Sequence, residues 1–146
     1  MSDISITALW FKRAVPTPTD KNLQVQTGVH LEEVCEMLDA MLPDANSAAA
    51  FFKTKTALFN LAEGLKKGIY KVEIADRKEV LDAVCDQLVT ATGIGHMLGM
   101  DVPEGLNRVN SSNFSKFGRD GQPIFNENGK IIKGPSYAPP NLEGLY

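Results

Sequence analysis

The sequence predicts an all-α protein of about five helices followed by an extended C-terminal tail, on three observations. Four long segments place apolar residues three and four apart, the spacing that puts them on one helical face. Proline, Asn, Asp and Ser fall at the boundaries between those segments, where helices start and stop. The one stretch with strand-like alternation, Ile69-Tyr70-Lys71-Val72-Glu73-Ile74, has no neighbour of similar quality and reads as a connector. The chain has 146 residues, 43% hydrophobic and 23% charged, ordinary for a globular domain with a real core. The reading divides it into a helical domain over 1–117 and a tail over 118–146.

The first helix covers Ile4 to Val15, with Leu9, Trp10, Phe11, Ala14 and Val15 apolar. Trp10 and Phe11 suit a core or a base-stacking wall, and core is the commoner fate of aromatics. Pro16 and Pro18 break the helix. The second helix runs from about Asn22 to Leu42, carried by Leu23, Val29, Val34, Leu38, Met41 and Leu42, with Gln24, Gln26 and His30 on its N-terminal half. A lone histidine such as His30 is more often a structural hydrogen-bonder than a base. The third helix starts near Asn46-Ser47, read as an N-cap pair, and frays at Gly64 and Gly68, with Lys66 and Lys67 in its last turn.

The fourth helix spans Asp76 to about Met100. Asp76 and Glu79 have the spacing of a capping box, which is a structural use for Glu79. Gly93, Gly95 and Gly99 suggest a close helix–helix approach or a bend. They follow no strand, so the dinucleotide fingerprint does not apply. Asp101 and Pro103 open a fifth helix that ends near Ser115. Beyond Lys116 glycine and proline dominate. The runs Gln122–Phe125 and Lys130–Lys133 flank Asn126-Glu127-Asn128-Gly129, a pattern for a small hairpin. The tail has too little apolar surface to fold alone, so it must pack on the helices or on a neighbouring subunit.

Charge and composition exclude several classes. A net charge of −3 argues against sequence-independent nucleic-acid binding. No stretch approaches the ~20 apolar residues of a membrane span. Cys35 and Cys85 form no CxxC pair, so zinc ligation has no support, and buried free thiols suit a reducing compartment. A cytoplasmic protein is the expectation.

Two acid clusters then stand out. Glu32, Glu33 and Glu36 lie in the second helix, and Glu79, Asp82 and Asp86 in the fourth. Residues three or four apart share a helix face, so Glu32 and Glu36 align and Glu33 and Glu36 converge. Like charges at that spacing repel by roughly 0.2–0.5 kcal/mol on an exposed helix. A divalent cation removes the penalty. If the two helices pack antiparallel, four or more carboxylates meet. Hard oxygen ligands of that kind suit Mg2+ or Mn2+. A carboxylate not spent on the metal can deprotonate an attacking water, which makes metal-assisted hydrolysis at phosphorus the implied chemistry. The competing reading is a solvated acidic face paired with Lys or Arg. Arg77 and Lys78 precede the second cluster, and no cation lies within the first.

Glu32-Glu33-Val34-Cys35-Glu36 followed by Glu79-Val80-Leu81-Asp82 resembles the EExxE…ExxD pattern of the MazG-like all-α nucleoside triphosphate pyrophosphohydrolases. The ending Asn110-Ser111-Ser112-Asn113-Phe114-Ser115-Lys116, with Asp120-Gly121, Gly129-Lys130, Lys133-Gly134-Pro135 and Tyr137, is similar to that of a bacterial and phage subgroup. The resemblance implies a bundle with a four-helix core, and Mg2+ or Mn2+ held by Glu33, Glu36, Glu79 and Asp82. Glu32 is then a ligand or the residue that activates water, and Asp86 a ligand or a supporting residue. It implies cleavage between the α and β phosphates to give a nucleoside monophosphate and pyrophosphate, with dGTP or dUTP as first candidates, in a homodimer or homotetramer. Lys116, Lys130 and Lys133 become candidates to neutralise phosphate, Asn113 to bond base or sugar, and Gln26, Asn22, Trp10 and His30 to contact substrate. The segment Leu38 to Arg77 is long for compact members. A phosphoribosyl-ATP pyrophosphohydrolase-like enzyme and a non-catalytic helical interaction protein remain alternatives.

Overall fold

The computed structural model describes residues 3–126 and 131–146. Within them the chain forms five helices, α1 (Asp3–Ala14), α2 (Asp20–Asp39), α3 (Ala48–Lys66), α4 (Arg77–Met97) and α5 (Val102–Phe114), and no strand. The all-α expectation holds. Two compact units share the chain: residues 17–75 form one, and residues 1–16 with 76–146 form the other.

The unit of residues 17–75 is an antiparallel pair of helices, α2 and α3. Thr19 starts α2 with a reciprocal capping box: its hydroxyl accepts from the Asn22 N–H at 3.2 Å, and the Asn22 side-chain oxygen accepts from the Thr19 N–H at 2.9 Å. The helix ends at Asp39, short of Leu42, because Pro43 cannot continue it and Leu42 is left 98% exposed. The expected Asn46-Ser47 cap of α3 is not made by those side chains. Asp44 does that work, accepting from the Ser47 N–H at 2.8 Å on its carboxylate and from Ala48 on its main-chain oxygen at 3.0 Å. Hydrogen bonds from Ser47, its side chain first and its N–H second, hold the Asp44 carboxyl below its ordinary range.

Gly28 sets the closeness of this pair, and Gly64 the closeness of the connector to α3. A Cβ on Gly28 would stand 2.7 Å from the Ala62 carbonyl oxygen, and one on Gly64 would overlap the Tyr70 ring. Gly64 is therefore a buried packing residue and not a fraying end. The stop comes four residues later. Gly68 adopts φ +71°, and the N–H of Ile69 reaches back to the Gly64 carbonyl at 2.8 Å, a Schellman ending. The connector after it is pinned by Gln24. That side chain donates to the Val72 carbonyl and accepts from the Val72 N–H, each at 2.8 Å, pairing both groups as a strand neighbour would. Cys35, Ala62 and Leu65 are buried between the helices.

In the other unit, α1 lies against α5. Thr7 donates to the Asn110 side chain at 2.8 Å, and Asn110 donates to the Asp3 carbonyl at 3.1 Å, so the buried amide of Asn110 ties the start of α1 to α5. The α4–α5 corner is close because of Gly95, where a Cβ would sit 2.1 Å from a Val102 methyl carbon. Gly99, at φ +74°, ends α4 with a second Schellman turn, Met100 N–H to Gly95 carbonyl at 2.9 Å. Asp101 caps α5 through the Glu104 N–H at 3.0 Å.

The tail is hydrogen-bonded to α5 and to the residues just after it. The Gly134 N–H donates to the Lys116 carbonyl at 2.9 Å, Ala138 N–H to the Ser115 hydroxyl at 2.9 Å, and Arg108 to the carbonyls of Asn141 and Glu143. Of the expected hairpin, the described residues show one antiparallel bridge, Phe125 with Ile131, and an Ile132 N–H to Ile124 carbonyl bond at 2.9 Å. Its turn, residues 127–129, lies outside the described residues.

Candidate active site

The first acid cluster is divided by the geometry of α2. The face that carries Gln24, Gly28 and Cys35 turns toward α3, and Glu32, eight residues after Gln24, is on that side. Glu33 and Glu36 are exposed. Glu32 has a cation after all, supplied from α3: Lys66 Nζ stands 2.8 Å from Glu32 Oε1 and also pairs with Glu63. Lys67 pairs with Glu63 at 3.0 Å. Burial works against the charge on Lys66, but its hydrogen bonds to Glu32 and Glu63 outweigh that and raise its pKa. The bonds from Lys66 and Lys67 hold the Glu63 carboxyl below its ordinary range.

The sequence marks Lys66 only as a last-turn cation and does not single out Glu63. Their spacing of three on one helix was a legible pairing signal. Their convergence on Glu32, 34 residues from Lys66 along the chain, was not. Cys35, one turn after Glu32, has its thiol pushed up by burial and by Asp39.

The second cluster sits on α4. Asp76 caps the helix by accepting from the N–H groups of Lys78 and Glu79 at 2.9 and 3.2 Å. Glu79, Asp82 and Asp86 are exposed along the helix, and the Asp86 carbonyl accepts from Thr90 at 2.9 Å. The apolar residues among them are exposed too: Leu81 is 65% and Val89 69% accessible, with Val80, Val84 and Leu88 beside them. Among the described residues that stripe is uncovered.

Other predicted residues have local partners. Trp10 donates its indole N–H to the Asn113 carbonyl at 2.9 Å, and Lys116 donates to the Asn113 side-chain oxygen at 2.7 Å. Trp10 stacks near-parallel to Phe117 at 5.9 Å between ring centroids. The structure thus brings Trp10, Asn113 and Lys116 together. Lys133 lies over the Tyr137 ring at 4.4 Å. Asn22 is engaged in the α2 cap, while Gln26 and His30 are exposed on α2. Lys130 lies outside the described residues.

The donor set suits a hard divalent cation. Glu33 with Glu36, and Glu79 with Asp82, are each a pair of exposed carboxylates three residues apart on one helix. Magnesium keeps several waters and needs only one or two protein carboxylates beside substrate phosphate. Among the described residues, no three His, Cys, Asp or Glu side chains gather round one point as a closed metal centre would require.

With that geometry in hand, comparison with solved structures finds a relative in fold. The chain matches the crystal structure of a "putative NTP pyrophosphohydrolase" from Exiguobacterium sp. 255-15 at a TM-score of 0.65 and 23% identity, over 96% of this chain and 89% of that one. At that identity the match establishes a shared all-helical fold. No family model and no curated protein matches the chain. Among the described residues no helix is long and apolar enough to cross a membrane.

Proposed function

We propose that this protein is a metal-dependent nucleoside triphosphate pyrophosphohydrolase, releasing pyrophosphate and a nucleoside monophosphate by attack of water between the α and β phosphates. The observation that carries the reading is the pair of carboxylate doublets, Glu33/Glu36 on α2 and Glu79/Asp82 on α4, in a fold shared along nearly its whole length with a protein described as a putative NTP pyrophosphohydrolase. Mg2+ or Mn2+, bound by those carboxylates, would neutralise triphosphate charge and lower the pKa of a bound water. Glu33 with Glu36, and Glu79 with Asp82, are the carboxylate pairs that would hold the ion. Glu32, fixed by Lys66, orients the water and accepts its proton at a carboxylate oxygen. Asp86 supports the second doublet.

Lys116 and Lys133 contribute positive charge toward phosphate, and Asn113, Asn22, Gln26, His30 and Trp10 toward base and sugar. dGTP and dUTP are the first substrates to try. The working unit is a homo-oligomer, supported by the exposed apolar stripe of α4, which a second copy would cover. The MazG-like subgroup with the SNxSK ending is our family reading, carried by the resemblance of Ser112-Asn113-Phe114-Ser115-Lys116.

The test is a panel of the eight common nucleotides with Mg2+ or Mn2+ and detection of pyrophosphate. At least one nucleotide should yield pyrophosphate, and Glu36→Gln should cut the rate by about 100-fold or more, the scale of a lost contact to transition-state charge. Pyrophosphate release at the wild-type rate by the variant would remove Glu36 from the site. No release from any nucleotide would reject the hydrolase reading.

A further inference from the structure

We infer that Asn113 selects the base of the substrate: it takes nucleotides whose base carries a carbonyl where cytosine and adenine carry an amino group, and Lys116 fixes that choice by orienting the Asn113 amide. The inference rests on the hydrolase reading for the triphosphate and deepens it by naming the class of base.

The orientation follows from donor chemistry. A side-chain amide has an acceptor end and a donor end, and a lysine ammonium only donates. Lys116 Nζ stands 2.7 Å from Asn113 Oδ1. The amide oxygen therefore faces Lys116, and the NH2 group is the edge turned away from it. An NH2 edge offers hydrogen to a carbonyl oxygen, and meets an amino group donor to donor. Uracil, thymine and guanine present the carbonyl there, cytosine and adenine the amino group.

The rest of the residue is held as well. The Asn113 main-chain oxygen accepts from the Trp10 indole N–H at 2.9 Å and from the Lys116 N–H at 3.2 Å, which ties the backbone under the amide to α1 and to the end of α5. Lys116 is fixed in turn by the tail. Its carbonyl accepts from the Gly134 N–H at 2.9 Å, and a Cβ on Gly134 would stand 2.7 Å from the main-chain oxygens of both Lys116 and Phe117. Asn113, Lys116 and Trp10 are each part-exposed, so the amide and the ring beside it are within reach of a ligand. Trp10 lies near-parallel to Phe117 at 5.9 Å and edge-on to Phe11 at 5.0 Å, a fixed aromatic surface of the kind on which bases stack. All of these residues belong to the same compact unit as Glu79 and Asp82. Lys116 is thus a positioning residue, and Asn113 the group that touches the base.

The experiment compares dUTP with dCTP on the full-length protein. The two share sugar and triphosphate, so any contact of Lys116 with phosphate cancels in the ratio of their kcat/KM values. The wild type should favour dUTP by about tenfold or more, the scale of a matched hydrogen bond against two donors left facing. Asn113→Asp, whose carboxylate only accepts, should reverse the preference toward dCTP. Lys116→Met frees the amide to turn and should bring the ratio below about threefold. Lys116→Arg, still a donor, should keep the preference. A purely structural Asn113–Lys116 contact would move melting temperatures in these variants and leave the ratio alone. The same proteins are titrated in Mg2+ with the non-hydrolysable α,β-imido analogues of dUTP and dCTP, read by the fluorescence of Trp10, the single tryptophan of the sequence.

Pyrophosphate release with equal efficiency from dUTP and dCTP, or a preference for dCTP, overturns the role of Asn113 and leaves the hydrolase reading standing. So does a preference that survives both Asn113→Asp and Lys116→Met. If no nucleotide yields pyrophosphate, the hydrolase reading fails, and the titration decides for Asn113: tighter binding of the dUTP analogue supports the base contact, and equal binding or an unmoved Trp10 signal rejects it. Should Lys116→Met not fold, Asn113→Asp still decides, because a reversed ratio supports the role and an unchanged one rejects it.

Discussion

The indole N–H of Trp10 donates to the main-chain oxygen of Asn113 at 2.9 Å, joining α1 to α5 across 103 residues of chain. The ring also stacks near-parallel to Phe117, which is 5% exposed. Replacing Trp10 by Phe keeps much of the apolar contact and removes the donor. The expected cost is about 1 kcal/mol, the net worth of one such bond. Trp10→Ala should cost more, about 3 kcal/mol, the low end for an aromatic truncation because the ring is only partly buried. Urea unfolding of the two variants measures both. Equal stability of wild type and Trp10→Ala would move the tryptophan from structure to substrate contact alone.

The glycines of α4 should divide by sign. At Gly93 a Cβ meets nothing within 4 Å, so Gly93→Ala should stabilise by roughly 0.5–1 kcal/mol through lower unfolded-chain entropy. At Gly95 the same methyl collides with Val102 and should destabilise by about 1–3 kcal/mol. Melting temperatures of the two single variants, moving in opposite directions, check the α4–α5 corner.

Gln24 satisfies both backbone groups of Val72. Gln24→Leu leaves them to find water, at a cost of about 1–3 kcal/mol if they stay buried. Amide hydrogen exchange gives the sharper reading. The Val72 amide should be protected in the wild type and exchange at least tenfold faster in the variant, while amides in the middle of α4, in the other unit, change little.

The Glu63–Lys66 pair has a defined pH signature. The Glu63 pKa is depressed in the folded protein, so its contribution is fully present above the ordinary glutamate value of about 4.3 and is lost as pH falls through the lower folded value. The Lys66 pKa is raised, so its contribution is present below the ordinary lysine value of about 10.4 and is lost as pH rises through the higher folded value. The melting-temperature difference between wild type and Glu63→Gln should therefore be constant from pH 6 to 8 and shrink in strong acid. A difference that grows in acid would contradict the ion pair.

On the second doublet, Glu79→Gln should abolish most Mn2+-dependent pyrophosphate release with little change in melting temperature, because its side chain is exposed and the α4 cap uses only its main-chain N–H. A large fall in melting temperature would assign Glu79 to the helix start.

Much of this protein is legible in the sequence alone. Helix existence followed from local rules: the capping side chains of Asp76 and Asp101, the break at Pro16 and Pro18, and apolar spacing of three and four are interactions within a few residues of each other. The same locality made Glu33/Glu36 and Glu79/Asp82 readable as doublets, since one helical turn sets their spacing. Tertiary structure decided what each face meets. Only packing turned Glu32 toward Lys66, joined Trp10 to Asn113 and Lys116, buried Gly64 under Tyr70 and gave Gln24 to Val72. Those contacts join residues far apart in sequence or across a turn, where no periodicity marks the partner. The α4 stripe shows the same division from the other side. Its apolar spacing foretold a buried face, yet among the described residues Leu81 and Val89 stay largely exposed. Burial is a property of what lies opposite, and the residues of one helix do not encode it.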